Sequence, residues 1–178
     1  MAVGTSIERG SDCSMSIWLP GGRLIQSVAA ANDTSITFSN LNSAVDLWYR
    51  LIFRIANDTG GGINYKLYVN ADTTDSNYHA QYIQGNDSTA NAGRSNVPYI
   101  GSVVVSQGAI ILVDIFCTPN GFFTYRSRAI YHLSSSVVNV VYVGVKSSGA
   151  SGAITSLTIT ADAANGIRSG SVLDLYRR

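Results

Sequence analysis

Eleven carboxylates, two histidines and two cysteines are the whole stock from which this 178-residue chain could assemble acid–base, nucleophilic or metal chemistry. Glycoside hydrolysis needs two facing carboxyl groups, one of them with a raised pKa. The chain offers a single glutamate, Glu8, near its start, and aspartates that nearly all stand in turn-forming contexts. Asp114 is the exception, set inside the apolar run 109–116, where an ionised group needs a partner. Either strand alternation turns it toward water, or Arg126 or Arg128 pairs with it across a hairpin. A nucleophilic triad needs a base, and His79 and His132 accompany neither a Gly-x-Ser-x-Gly elbow nor a nearby cysteine. Both are predicted to be solvated or hydrogen-bonded structural residues.

Metal and phosphate chemistry fare no better. Gly60-Gly61-Gly62 is followed by no Lys-Ser/Thr and opens no helix, so it reads as a turn. Asp72-Thr73-Thr74-Asp75-Ser76-Asn77 gathers oxygen donors as calcium sites do, but lacks the EF-hand spacing and its closing glutamate. Cys13 and Cys117 have no Cys or His at metal spacing beside them. A bridge between them would close a loop of about 100 residues; two free thiols, with Cys117 ending a buried strand, are the expectation. Asn32-Asp33-Thr34, Asn57-Asp58-Thr59 and Asn86-Asp87-Ser88 match the glycosylation sequon and read as turn composition. The residue types point to a protein that is not an enzyme and uses no metal or cofactor.

Tyrosine is the remaining candidate, with ten copies. Tyr78, Tyr82 and Tyr99 lie in or beside a long polar stretch that also holds Asp75 and Asn77. A tyrosine presents a flat apolar face and a hydroxyl at low entropic cost, which suits sugar stacking and protein contact alike. These five residues form the candidate glycan or partner surface; the competing reading is that the tyrosines cap the ends of a sandwich.

The elements that must position these residues read as strands. Thr34–Phe38 alternates polar and apolar, and Asn64–Val69 puts Tyr65, Leu67 and Val69 on one face. Leu47–Ile55 places Leu47, Tyr49, Leu51, Phe53 and Ile55 on one face, with Trp48, Arg50, Ile52 and Arg54 on the other. Segments 103–105, 109–116, 122–131, 137–145, 154–160 and 171–176 follow, rich in β-branched and aromatic residues and separated by turn chemistry. Pro119-Asn120-Gly121 predicts a hairpin joining 109–116 to 122–131. Asn42–Asp46 alone looks helical, for one turn. The stretch from Ala71 to Pro98 reads as irregular, interrupted only by a short strand at 78–83.

Such a set of short strands predicts an all-β fold, an antiparallel two-sheet β-sandwich of jelly-roll-like type. Residues 1–20 read as an extended N-terminal arm with Ile17, Trp18 and Leu19 as docking anchors, and 21–178 as a single sandwich domain. Net charge of +1 and a pI of about 7.8 give no nucleic-acid footprint. With 46% hydrophobic and 13% charged residues the chain is not a typical disordered one, and a surface this poor in charge favours self-association. Its longest apolar run is far below the roughly 20 residues of a membrane helix, and the first dozen residues show no secretory pattern, so synthesis in a cytoplasm is the expectation.

The succession Gln26–Ala29, Ser35–Leu41 and Asp46–Arg54, then Lys66–Asn70, Gly152–Leu157 and Gly170–Tyr176, resembles small β-rich virion proteins of tailed bacteriophages. The resemblance covers roughly residues 25 to 176 and leaves the arm without a counterpart. It implies a jelly-roll structural module located in the virion. The leading expectation is a non-enzymatic capsid decoration or cement protein, a homotrimer bound to the major capsid protein or another virion protein. The alternative is a tail-associated fibre or tip protein that binds host-surface glycan.

Overall fold

Alternation in the sequence becomes alternation of burial. The computed structural model describes residues 22–56, 61–86, 89–103, 108–118, 122–133, 136–146 and 153–177. Along Ala109–Cys117, Ile111, Val113 and Ile115 are wholly buried while Ile110, Leu112 and Phe116 stand exposed. Trp48–Ile55 behaves likewise, with Tyr49, Leu51 and Phe53 inside and Arg50 and Arg54 on the outer face.

Twelve strands run through the described residues. The first are β1 (Arg23–Ala29), β2 (Ser35–Phe38), β3 (Trp48–Ile55) and β4 (Ile63–Val69). A 3-10 turn at Asp75–Asn77 leads into β5 (Tyr78–Asn86), β6 (Thr89–Ser95) and β7 (Tyr99–Val103). Then come β8 (Ala109–Cys117), β9 (Phe123–Leu133), β10 (Ser136–Lys146), β11 (Leu157–Ala161) and β12 (Val172–Arg177). They form an eight-stranded sheet, β1-β12-β3-β8-β9-β10-β5-β6, and a four-stranded sheet, β2-β11-β4-β7.

That order has a simple origin. β1 pairs with β12, β2 with β11, β3 with β8 and β4 with β7, all antiparallel. Eight strands thus make one long hairpin, rolled so that successive pairs fall in alternate sheets, which is the jelly roll. Two additions widen one sheet only: β9 and β10, and the β5–β6 hairpin, continue the larger sheet past β8.

The inner faces meet in one core. Phe53 of the larger sheet packs edge-on against Tyr65 of the smaller at 5.0 Å between ring centres, and Leu67, Leu157, Ile159, Phe123 and Tyr125 fill the space around them. Each such side chain contributes about 1.5–3 kcal/mol of transfer free energy.

Several expectations shift. Residues 71–98 are not an irregular excursion: they hold the 3-10 turn and the β5–β6 pair and end just before β7. β1 was not legible as a strand, and β11 begins at Leu157 rather than Ile154. The predicted hairpin is present, with β8 and β9 paired from Ala109 opposite Tyr131 to Cys117 opposite Phe123. Asn42–Asp46 closes one turn, the Asn42 carbonyl accepting from the Val45 and Asp46 amides. Cys117 is a buried free thiol. Cys13, the arm 1–20 with Ile17, Trp18 and Leu19, and the turn residues 57–60, 119–121 and 147–152 lie outside the described residues.

Candidate functional site

Tyr78, Tyr82, Tyr99, Asp75 and Asn77 converge, but largely on the inner side of the sheet extension. Tyr78 is wholly buried, so it offers no surface to a ligand. Its hydroxyl donates to the Asp72 carbonyl at 2.8 Å and accepts from the Val69 amide at 3.1 Å. Tyr82 and Tyr99 are half-buried and lean on Tyr142, with ring centres 5.7 and 6.5 Å away. The Tyr125 hydroxyl donates to the Tyr99 carbonyl at 2.9 Å, tying the two sheets together.

The would-be calcium donors are engaged by cations and hydroxyls. Asp75 accepts from the Tyr68 hydroxyl at 2.6 Å and from Lys66 Nζ at 2.9 Å. Asp72 Oδ2 accepts from Asn77 Nδ2 at 2.9 Å and pairs with Lys146 Nζ at 2.8 Å, while its Oδ1 accepts from the Thr74 amide. The Lys146 side chain is only 3% exposed, and a buried ammonium persists only beside a carboxylate. The hydrogen bond from Lys146 is the main reason the Asp72 carboxyl is held down at about 2. Among the described residues no cluster of three or more His, Cys, Asp or Glu side chains could hold a metal. The network instead pins the crossover between the sheets, residues 70–77, onto the end of β10.

The other sequence candidates resolve similarly. Asp114 faces outward and pairs with Arg50 Nε of β3 at 2.7 Å, not with Arg126 or Arg128 of β9. Arg54 pairs with Asp174, which also accepts from the Ser27 hydroxyl. His79 lies in β5 rather than in a loop, exposed, with Nδ1 3.1 Å from Asn96 Oδ1. His132 lies within β9. Asn32 sits in a turn at φ 71°, its Oδ1 accepting from the Ser169 amide. Burial pushes the Tyr49, Tyr78 and Tyr142 hydroxyls up to about 12, which makes them neutral hydrogen-bonding groups and not bases.

What remains is the outer face of the larger sheet, where the alternation of Leu47–Ile55 sets Trp48, Arg50, Ile52 and Arg54 as two arginines on an otherwise apolar surface. Its β3–β8 half carries an apolar patch: Trp48 stands opposite Phe116, Ile52 opposite Leu112, and Ile110 beside Arg54. Ile110, Leu112 and Phe116 are 47%, 37% and 47% exposed. Its β10–β5–β6 half is grooved. One lobe of about 440 Å³ is lined by His79, Gln81, Arg94, Asn96, Thr124 and Val143 among others. A second of about 430 Å³, toward Ile83, Ala92 and Val141, shares Gln81, Arg94 and Val143 with the first. The signal for both was the outward parity of the strands: 110, 112 and 116, and 79, 81 and 83; of the sequence candidates Tyr82 also borders the second lobe, while Tyr78 is buried on the inner side.

Comparison of the chain with protein-family models, with curated proteins and with solved structures finds no match in any of the three.

Proposed function

We propose that the protein is a non-enzymatic structural component of a phage virion, a self-associating capsid decoration protein that docks through the outer face of its larger sheet. The observation that carries the reading is the apolar patch of Trp48, Ile52, Ile110, Leu112 and Phe116. Apolar side chains that share a sheet face and are left to water mark an interaction surface, and aromatics with arginines such as Arg50 are the composition of contact centres. The charge-poor composition favours assembly, and jelly rolls serve in viral capsids, although a fold alone does not fix a function. The virion location itself rests on the sequence resemblance.

The test is the native mass of the purified chain by light scattering, followed by sedimentation with empty capsids of the encoding phage. The expected result is a homotrimer that co-sediments at a fixed ratio to the major capsid protein. Leu112→Asp, on an exposed position, should abolish co-sedimentation without lowering the melting temperature. A wild-type protein that ignores capsids would overturn the decoration reading and favour the tail.

A further inference from the structure

We infer that the two-lobed groove on the β10–β5–β6 half of the outer face binds an oligosaccharide carrying an acidic group. The groove is a product of the additions to the jelly roll: β5 and β6 alone supply His79, Gln81, Ile83, Ala92 and Arg94. Its two lobes are each within the range of small-ligand sites, about 300–1,000 Å³, and they join at Gln81, Arg94 and Val143, so an occupant can extend through both.

The lining has the chemistry of sugar recognition. Gln81, Asn96 and Arg94 present planar groups that donate or accept pairwise, as vicinal hydroxyls require, and Thr124, whose hydroxyl donates to the Gly144 carbonyl, adds an acceptor oxygen. Val143, with Val145 in one lobe and Val141 in the other, gives an apolar floor for the C–H face of a ring. His79 Nδ1 is engaged with Asn96 Oδ1, which leaves Nε2 as the ring's other polar atom.

The acidic group follows from charge. The five ion pairs in the described residues join Arg50 to Asp114, Arg54 to Asp174, Lys66 to Asp75, Lys146 to Asp72 and Arg177 to Asp46. Arg94, at the junction of the lobes, is in none of them, and neither is Arg126, which stands beside Val143 in register. A guanidinium so placed is matched by a carboxylate or a phosphate. A peptide added as a strand would go to the outer edge of β6, the last strand of the sheet, and not across the groove floor, where β10 and β5 are already paired on both sides.

The inference stands apart from the docking reading, since the groove shares no residue with the β3–β8 patch. The experiment is calorimetric titration of the full chain with tetragalacturonate, with a phosphorylated mannose oligosaccharide and with a neutral galactose tetramer, in low salt. At least one acidic probe is expected to bind about tenfold or more tightly than the neutral one, and which of the two does so identifies carboxylate or phosphate. Arg94→Gln should erase that preference, and Val143→Trp, which fills the junction, should abolish binding; both positions face solvent, and unchanged melting temperatures confirm the fold. Leu112→Asp should bind sugar as wild type does. Failure of both acidic probes, a preference that survives Arg94→Gln, or binding of polyglutamate but of no saccharide would overturn the inference.

Discussion

Replacing either partner of the Lys146–Asp72 pair should cost stability unequally, and the inequality can be worked from the geometry. The Lys146 side chain is 3% exposed and that of Asp72 22%. Asp72→Asn removes the carboxylate beside a buried ammonium, which costs about 3–5 kcal/mol. Lys146→Met leaves a carboxylate that keeps the Asn77 and Thr74 donors and some water. The fall from 3.8 to about 2 is owed first to Lys146 and also to Asn77 and Thr74, so at about 1.36 kcal/mol per pH unit the loss of the lysine costs at most about 2 kcal/mol. The sign is fixed by linkage. A carboxyl whose folded pKa lies below its unfolded value contributes stability that is complete above about pH 5 and is lost as pH falls toward 2. Urea unfolding followed by tryptophan fluorescence, stepped from neutral to acid pH, reads both effects. The gap between wild type and Lys146→Met should narrow across that window. A gap that stays constant into acid, or an Asp72→Asn variant less damaged than Lys146→Met, would refute the reasoning.

Three further outcomes follow from packing and burial. A Cβ at Gly144 would lie 2.3 Å from Cζ of the fully buried Tyr125, so Gly144→Ala should cost about 1–3 kcal/mol; Gly85→Ala, with nothing within 4 Å, should stay within about 0.5 kcal/mol, and equal melting temperatures would sink the argument. Tyr78→Phe should cost about 1–2 kcal/mol by leaving the Asp72 carbonyl and Val69 amide without its hydroxyl. Because burial raises the Tyr78 pKa to about 12, the stability it contributes is complete below about pH 10 and lost as pH rises toward 12, and the variant should show a shallower alkaline decline in unfolding free energy. Burial pushes the Cys117 thiol up to about 12, so maleimide should modify the Cys117 peptide only in denaturant, as read by mass spectrometry; rapid labelling of the native protein would contradict it.

The strands that were legible in sequence are those with one face in the core. β3 and β8 alternate because every second residue packs against the smaller sheet, and Pro119-Asn120-Gly121 marked their neighbour's hairpin. β6 left no such trace: Thr89–Ser95 carries no large apolar side chain that could alternate, and its first four positions are exposed outright. The ion pairs were hidden for a different reason. Asp114 is opposite Arg50 on one side and Arg126 on the other, and only sheet order and side-chain reach decide between them. Asp72 and Lys146 lie on segments far apart in sequence that the rolled hairpin brings together. For the candidate site, parity divides the tyrosines: Tyr78 faces in and is buried, Tyr82 is half-buried and borders the second lobe, and the outward 79, 81 and 83 supply most of what β5 gives the groove.

The claim that the outer face of the larger sheet is the docking surface is tested most directly by hydroxyl-radical footprinting of the protein free and bound to capsids. Leu112 and Phe116 should be strongly protected in the bound state, while Val45, 72% exposed in the turn before β3, reacts equally in both. Equal reactivity of Leu112 and Phe116 in the free and bound protein would contradict the account.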